Sequence, residues 1–254
     1  MRECTEELFL SDVATHQMTL IRDDGLHRHV RFKKPDSGDQ YFDLITWPGA
    51  LCYTGDMGTY VFSRIPDMFG FFRFSNREGP LRINEGYWAE KLLATDRCDG
   101  HREYSADTAR KYIESQLDQF KEFFDLDVED GTGALQFAEL KEAVEADVLA
   151  AVDDGEHALR EAMADFEHGG RNWFPDYWER RFDEYTLRFT WCCYAIAWGI
   201  RQYDDRKSTP AAIYSFEEFF AKVRDTGWNP TADELRELLK DAKPMPAIGD
   251  SVRT

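Results

Sequence analysis

Apolar, aromatic and β-branched residues fill short runs in the first quarter of the chain, and turn residues separate these runs. Such runs lie at residues 16–22, 26–32, 41–47, 50–53 and 59–63. The breaks between them include Asp24-Gly25, Pro48-Gly49 and the TGDMG run at 54–58, and connections this short join antiparallel strands. The pattern therefore predicts an antiparallel meander of about four or five strands, in which Arg28 interrupts an apolar face.

Helical spacing of apolar residues dominates the rest of the chain. Helices are predicted over residues 84–94, over 106–124 and over 134–166, the last with a possible break at 153–155. Pro66 and Asp67 suit the start of a further helix, and Ser105 can cap the helix that follows it. The run FTWCCYAIAWGI at 189–200 is apolar nearly all round, which is typical of a central, buried helix.

Strands that precede helices in this way indicate the α+β class, with the meander packed against a mostly helical C-terminal half. We expect a single domain over residues 1–254. It comprises a β-rich part at 1–75, a helical part at 84–243 and a frayed tail at 244–254. Hydrophobic residues make up 43% of the chain, enough for a sizeable core.

Charge changes this picture, because the net charge of −18 is unevenly placed. Residues 101–170 carry 19 acidic and six basic side chains, whereas the 100 residues before them have a net charge of only −4. Residues 125–167 hold 14 carboxylates against only Lys141 and Arg160. Such a local field attracts a cationic partner, and a solvated helix face in an acidic protein is the alternative explanation.

Carboxylates in this stretch recur at helical spacing. Glu139, Glu142 and Glu145 lie three residues apart and share one helical face, where like charges cost stability. A row of carboxylates resembles the regularly spaced phosphates of nucleic acid. The predicted partner-binding residues are Asp125, Asp127, Glu129, Asp130, Glu139, Glu142, Glu145, Asp153, Asp154 and Glu156.

The same stretch only weakly matches a calcium loop. Asp125, Asp127 and Glu129 have the spacing of EF-hand ligands, but Asp130 replaces the usual Gly and Gln136 the usual final Glu. We therefore expect a loop that links helices, and no metal or other cofactor.

Few residues in the chain suggest catalysis. His27 and His29 share one face of a predicted strand, and Asp56 lies between two glycines on a hairpin tip; Asp43 is the other polar residue near them. Exposed strand positions explain the histidines better than catalysis does, and the needs of a tight turn explain Asp56 better. The chain has no Walker A, GxGxxG, GxSxG or HExxH motif, so no catalytic residue is assigned.

The five cysteines predict reduced thiols, because their number is odd and none forms a CxxC pair. Cys52 fits a small apolar filler within a strand. The N-terminus lacks a signal-peptide pattern, and the apolar run at 189–200 is too short for a bilayer, which takes roughly 20 residues. These features predict a cytoplasmic protein with no membrane contact.

The chain resembles a group of uncharacterised proteins of phages and prophages. The resemblance lies in WPG at 47–49, CYTGDMGTYVFSR at 52–64 and DMFGFFR at 67–73, and it extends to GYWAEKLLA and WCCYAIAWGIRQYD. The group has no known activity, so the resemblance implies only a setting, the cytoplasm of a bacterial host.

Two functions from different classes follow from these patterns. The first is an acidic binding protein that inhibits a host nucleic-acid-handling or defence complex, in the manner of an anti-CRISPR or anti-restriction DNA mimic. Its partner would be a host protein with a basic nucleic-acid-binding groove, and it would not bind nucleic acid directly. The alternative is a small cytosolic enzyme that acts on a nucleotide or nucleic acid at a sheet site near His27, His29 and Asp56.

Overall fold

The structure is a computed structural model that describes residues 4–73, 79–96, 100–124 and 131–208. Its fold is α+β, with an antiparallel sheet in the N-terminal half and helices after it, as the sequence predicts. The chain divides into two compact units, of which unit 1 comprises residues 1–96 and 190–254 and unit 2 comprises residues 97–189. The single domain expected from the sequence stays a prediction.

Unit 1 is built on one six-stranded antiparallel sheet in which each strand pairs with the next strand along the chain. The strands are β1 (Gln17–Asp24), β2 (His27–Lys33), β3 (Phe42–Trp47), β4 (Ala50–Gly55), β5 (Gly58–Ser63) and β6 (Leu92–Ala94). The first five agree with the predicted meander to within one or two residues at each end. Gly55 is required at the β4–β5 turn, because a Cβ there would lie 2.2 Å from the Tyr41 carbonyl oxygen.

The sixth strand corrects the sequence prediction of one helix over residues 84–94. Asn84 caps a helix of only five residues, α3 (Glu85–Ala89), and the chain then turns into β6. Val61 pairs with Ala94 and Phe62 with Leu92 in this last ladder. The free edge of β5 offers backbone hydrogen bonds that outweigh the helical propensity of the segment.

One face of the sheet forms the core of unit 1. Aromatic and aliphatic side chains from β2 to β5 are fully buried on it: Val30, Phe32, Phe42, Leu44, Leu51, Tyr53, Tyr60 and Phe62. The long helix α7 (Leu187–Ser208) packs on this face, with Trp198 5.2 Å from Phe32 and Trp191 5.7 Å from Phe42 between ring centroids. Trp191, Cys192 and Cys193 are fully buried, as the apolar sequence of this helix predicts.

Two further short helices belong to unit 1, and the second of them contacts Arg28. They are α1 (Glu6–Val13) and α2 (Met68–Phe72), and Asp67 caps α2 as expected. The Arg28 guanidinium donates to both carboxylate oxygens of Asp67, at 2.8 and 3.2 Å, and lies 4.8 Å from the Phe69 ring centroid. Arg28 therefore does not break the apolar face; its charge is paired and its stem is buried within that face.

Unit 2 is mostly helical. Its helices are α4 (Ala106–Phe120), α5 (Thr132–Val144) and α6 (Glu156–Asp165), and its short strands are β7 (Arg102–Tyr104), β8 (Glu167–His168), β9 (Arg171–Asn172) and β10 (Asp183–Tyr185). Ser105 caps α4, as predicted. Between α5 and α6 the helix passes through a π-turn and a 3₁₀ turn and ends at Gly155, whose φ is 102°, so the predicted break is real. The fully buried core residues include Ile113, Leu140, Val144, Val148, Leu159 and Met163.

None of the helices in the described part of the chain combines the length and the apolar character that a membrane span requires. The C-terminal end of the predicted helical part and the predicted tail at 244–254 fall outside the described residues.

Candidate functional site

Six of the ten predicted partner-binding residues lie in the described part of unit 2. Glu139 and Glu142 are on α5, Glu145 begins the π-turn, and Asp153 and Asp154 end the 3₁₀ turn. The sixth, Glu156, is the first residue of α6. The other four, Asp125, Asp127, Glu129 and Asp130, lie outside the described residues.

These side chains form the acidic surface, which we define as Glu139, Glu142, Glu145, Asp153, Asp154 and Glu156. All are exposed except Glu156, which is half-buried. The opposite side of the same segment carries the buried residues Leu140, Val144, Val148 and Val152. Apolar residues at helical spacing therefore hold the segment in the core and leave its carboxylates in water.

Half of the acidic surface is paired with cations. Glu145 lies 3.6 Å from Lys141, Glu156 lies 2.7 Å from Arg160, and Asp153 is paired with Arg110.

The other half has no such compensation. Glu139, Glu142 and Asp154 make no ion pair with any described residue. Residues 131–168 as a whole hold ten acidic and two basic side chains. The surface therefore keeps a net negative charge after its internal pairs are formed.

The field of this surface acts on a neighbouring tyrosine. The Tyr104 hydroxyl donates to the Val152 carbonyl oxygen at 2.9 Å. Burial, followed by the charges of Glu156 and Asp153, raises the pKa of Tyr104 above its ordinary value. A negative potential at this position disfavours the phenolate anion.

An open groove of about 460 Å³ adjoins one end of the acidic surface. We call it the aromatic groove, and its walls come from the 3₁₀ turn Lys121–Phe123 and Phe124 after α4, from α5 and from the β8–β9 hairpin with Trp173. Its lining residues are Phe123, Phe124, Gln136, Glu139, His168, Gly169, Arg171 and Trp173. Gly169 and Gly170 both have positive φ, 61° and 73°, and so form the tight turn that brings His168 and Arg171 to the groove.

Aromatic rings and two charges make up most of the groove. The rings of Phe124 and Trp173 are stacked, with centroids 5.8 Å apart and an interplanar angle of 11°. The Arg171 guanidinium carbon lies 4.0 Å from the Phe123 ring centroid and 4.6 Å from that of Trp173. Glu139 lines this groove as well, so it belongs to both the acidic surface and the aromatic groove.

The outer face of the sheet in unit 1 carries a separate polar cluster. Asp43 accepts a hydrogen bond from Arg31 Nε on Oδ1 and one from Arg31 Nη2 on Oδ2, both at 2.8 Å, and the His29 Nε2 atom lies 2.8 Å from the same Oδ2. Burial alone would raise the pKa of Asp43, but the hydrogen bonds from Arg31 and His29 hold it below its ordinary value. Asp43 is thus an ionised, almost fully buried carboxylate whose charge Arg31 balances.

The remaining residues of the alternative sheet site do not join this cluster. Strand register places His27 beside Asp24 at one end of the sheet and Asp56 beyond the Phe42–Gly55 pair at the other. Asp56 accepts a hydrogen bond from the Gln40 backbone N–H at 2.9 Å, which favours the turn role. The structure therefore brings together only His29 and Asp43 of the four residues considered.

The described residues give little evidence for a reactive cysteine or for a metal-binding site. Cys4, Cys52, Cys192 and Cys193 are free thiols, and Cys98 lies outside the described residues. Burial raises the pKa of Cys52 and raises that of Cys4 to about 12, so neither thiol is prone to ionise. Within the described ranges no three His, Cys, Asp or Glu side chains are grouped in a way that could hold a metal ion.

Two features were not predicted from the sequence because they form only when the chain folds: the polar cluster around Asp43 and the aromatic groove. The pairing of His29 and Arg31 with Asp43 follows from the register of β2 and β3, which the alternation of both strands could have suggested. The aromatic groove joins residues up to 50 positions apart in the sequence, from Phe123 to Trp173, and no local pattern marks it.

Comparison of the chain with protein-family models, with curated proteins and with solved structures found no match.

Proposed function

We propose that this protein is a non-catalytic acidic binding protein, which inhibits a nucleic-acid-handling or defence complex of a bacterial host. The acidic surface would occupy a Lys- and Arg-lined groove on the partner that otherwise holds DNA or RNA. The resemblance to phage proteins supplies the setting, the host cytoplasm. The unpaired, exposed carboxylates of Glu139 and Glu142 carry the proposal.

Two physical arguments favour this function. First, the fold has no need of these charges, because the buried side of α5 already anchors the segment, while neighbouring carboxylates repel one another. Second, exposed carboxylates of one sign steer a cationic partner toward the surface. The same field repels nucleic acid, so the partner is a protein.

The test is a pull-down from bacterial lysate at low and at high salt with the full chain as bait. We expect captured proteins that bind nucleic acid and are released as salt rises, since screening weakens exposed charge pairs. The triple variant Glu139→Lys, Glu142→Lys, Glu145→Lys should stay folded by circular dichroism and lose these proteins.

A matched control variant separates the effect of the acidic surface on binding from the effect of total net charge. The variant Asp36→Lys, Asp39→Lys, Glu90→Lys changes exposed residues of unit 1 by the same total charge. It should still capture the partner. Equal capture by wild type and by the Glu139/Glu142/Glu145 variant would refute the proposal.

A second candidate is an enzyme of nucleotides or nucleic acid with its site on the outer sheet face. The contact between His29 Nε2 and Asp43 favours it, because a carboxylate that holds an imidazole is a common support for acid and base catalysis. Arg31 already balances Asp43, however, and this gives the cluster a structural explanation too.

This candidate is tested by hydrolysis assays over nucleotides, single-stranded DNA and RNA, each with and without added divalent metals. Activity that a His29→Ala variant abolishes and a His27→Ala variant keeps would support it. Turnover unaffected by His29→Ala, or absent from every assay, would remove it.

A further inference from the structure

The aromatic groove has the size and lining of a small-molecule site. Its volume of about 460 Å³ falls in the range of about 300–1,000 Å³ that is usual for ligand pockets. The half-buried Phe124 ring, which stacks on the buried Trp173 ring, offers an apolar, planar wall. A planar apolar group gains both burial and ring stacking at such a wall.

Two opposite charges line the groove without pairing. Arg171 is exposed and held by the rings of Phe123 and Trp173, and it makes no ion pair with a carboxylate of the described residues. Glu139 makes none with a cation in those same ranges, so the two side chains do not pair with each other. Each therefore keeps its hydrogen-bonding capacity for a ligand.

Charge selects among possible ligands. An anion such as a nucleotide would satisfy Arg171 but meet the negative field of residues 131–168. A simple cation would satisfy Glu139 and leave Arg171 unpaired. A zwitterion satisfies both, since a guanidinium binds a carboxylate in a fork and a carboxylate binds an ammonium through charge-assisted hydrogen bonds.

We propose that the aromatic groove binds a free aromatic α-amino acid. The ammonium group pairs with Glu139, the carboxylate pairs with Arg171, and the side-chain ring packs against the Phe124 ring. This site does not depend on the acidic binding function and would exist beside it.

Calorimetry with the full chain and three probes tests the site. The probes are L-phenylalanine, phenethylamine, which lacks the carboxylate, and 3-phenylpropionate, which lacks the ammonium. We expect saturable binding of L-phenylalanine at least tenfold tighter than of either analogue. L-Alanine, which lacks the ring, should bind at least tenfold more weakly as well.

Substitutions of two exposed residues test which charged group of the ligand each of them binds. Arg171→Gln should abolish the preference for L-phenylalanine over phenethylamine, and Glu139→Gln should abolish the preference over 3-phenylpropionate. Glu161→Gln, on α6 and outside both the groove and the acidic surface, is the matched control and should change neither preference. This design needs no change to the buried Trp173.

The outcomes separate this inference from the proposed function. The amino-acid site is overturned, whatever the pull-down shows, if L-phenylalanine shows no saturable binding. It is also overturned if neither substitution changes the binding preferences. Charge-dependent binding of L-phenylalanine supports the site even if the pull-down finds no partner.

Discussion

Single residues decide how closely α7 approaches the sheet. A Cβ at Gly199 would lie 2.8 Å from the Leu44 Cδ1 atom and 3.0 Å from the Phe32 ring. Both neighbours are fully buried, so neither can move away freely. Gly199 therefore sets the distance between the helix and the sheet.

We expect Gly199→Ala to lower the free energy of unfolding by about 1–3 kcal/mol, the usual cost of overpacking a core. Urea unfolding followed by circular dichroism measures this. Gly70→Ala on α2 is the control, because its added Cβ would have its nearest neighbour at 3.8 Å, and it should be neutral or stabilising. Equal stabilities for the two variants would contradict the argument.

A second residue-level effect concerns His16, which is partly buried. Its Nε2 atom lies 2.9 Å from the Gln40 carbonyl oxygen, and its Nδ1 atom is buried with no hydrogen-bond partner among the described residues. Burial lowers the pKa of His16, against an opposing contribution from the Gln40 carbonyl. The folded state therefore holds the neutral imidazole with a proton on Nε2.

This lowered pKa predicts a loss of stability in mild acid. The unfolded chain takes up the His16 proton near pH 6.5 and the folded chain only at a lower pH, so the free energy of unfolding falls as the pH drops below about 6.5. Urea unfolding at pH 7.5 and 5.5 measures the fall. It should be smaller in a His16→Gln variant; an identical fall in the two proteins would contradict the prediction. His101, whose pKa burial also lowers, remains in both.

At the scale of elements, an ion pair joins α2 to the sheet. Asp67 caps α2 by accepting the Phe69 backbone N–H at 3.1 Å, and the same carboxylate balances the guanidinium of Arg28 on β2. The Arg28 side chain is only 10% exposed. One carboxylate thus supplies both a helix cap and the counter-charge for a buried cation.

Asp67→Ala should therefore cost more than the roughly 1 kcal/mol of a lost N-cap, because it also leaves Arg28 unpaired. Asp67→Asn keeps a capping oxygen and removes the charge, so its cost should lie between wild type and Asp67→Ala. Thermal unfolding of the three proteins ranks them. Asn84→Ala, which removes an exposed helix cap that accepts from the Tyr87 backbone N–H, gives the cost of capping alone.

At the scale of the whole molecule, each unit has its own core. The sheet and α7 build that of unit 1, and α4, α5 and α6 build that of unit 2. A unit that buries its own apolar surface can open by itself. Local stability should then respond to mutations unit by unit.

Leu140→Ala removes a fully buried side chain of unit 2 and should cost about 2–5 kcal/mol there. Hydrogen exchange measured by mass spectrometry should accelerate over residues 132–165 and stay unchanged over 42–63. Leu51→Ala, in β4, should give the reverse. Equal acceleration of both regions by either variant would instead support the single domain expected from the sequence.

The sequence by itself determined the features that depend on near neighbours. Runs of β-forming and aromatic residues placed five strands, turn residues separated them, and Ser105 and Asp67 marked helix starts, because strands, turns and caps are set by contacts within a few residues. Local charge density likewise located the acidic surface. The α+β class followed from the order of these elements.

Only the tertiary structure decided what distant residues do together. The edge of β5 turned residues 92–94 from the predicted helix into a strand, and Asp67 gave Arg28 a counter-charge from 39 residues away. Asp43 became the partner of His29 only when β2 and β3 paired, and the aromatic groove exists only where α5 meets the β8–β9 hairpin. Burial, register and the pairing of charges across such distances are properties of the folded chain, because local spacing carries no information about which remote residue arrives beside a given side chain.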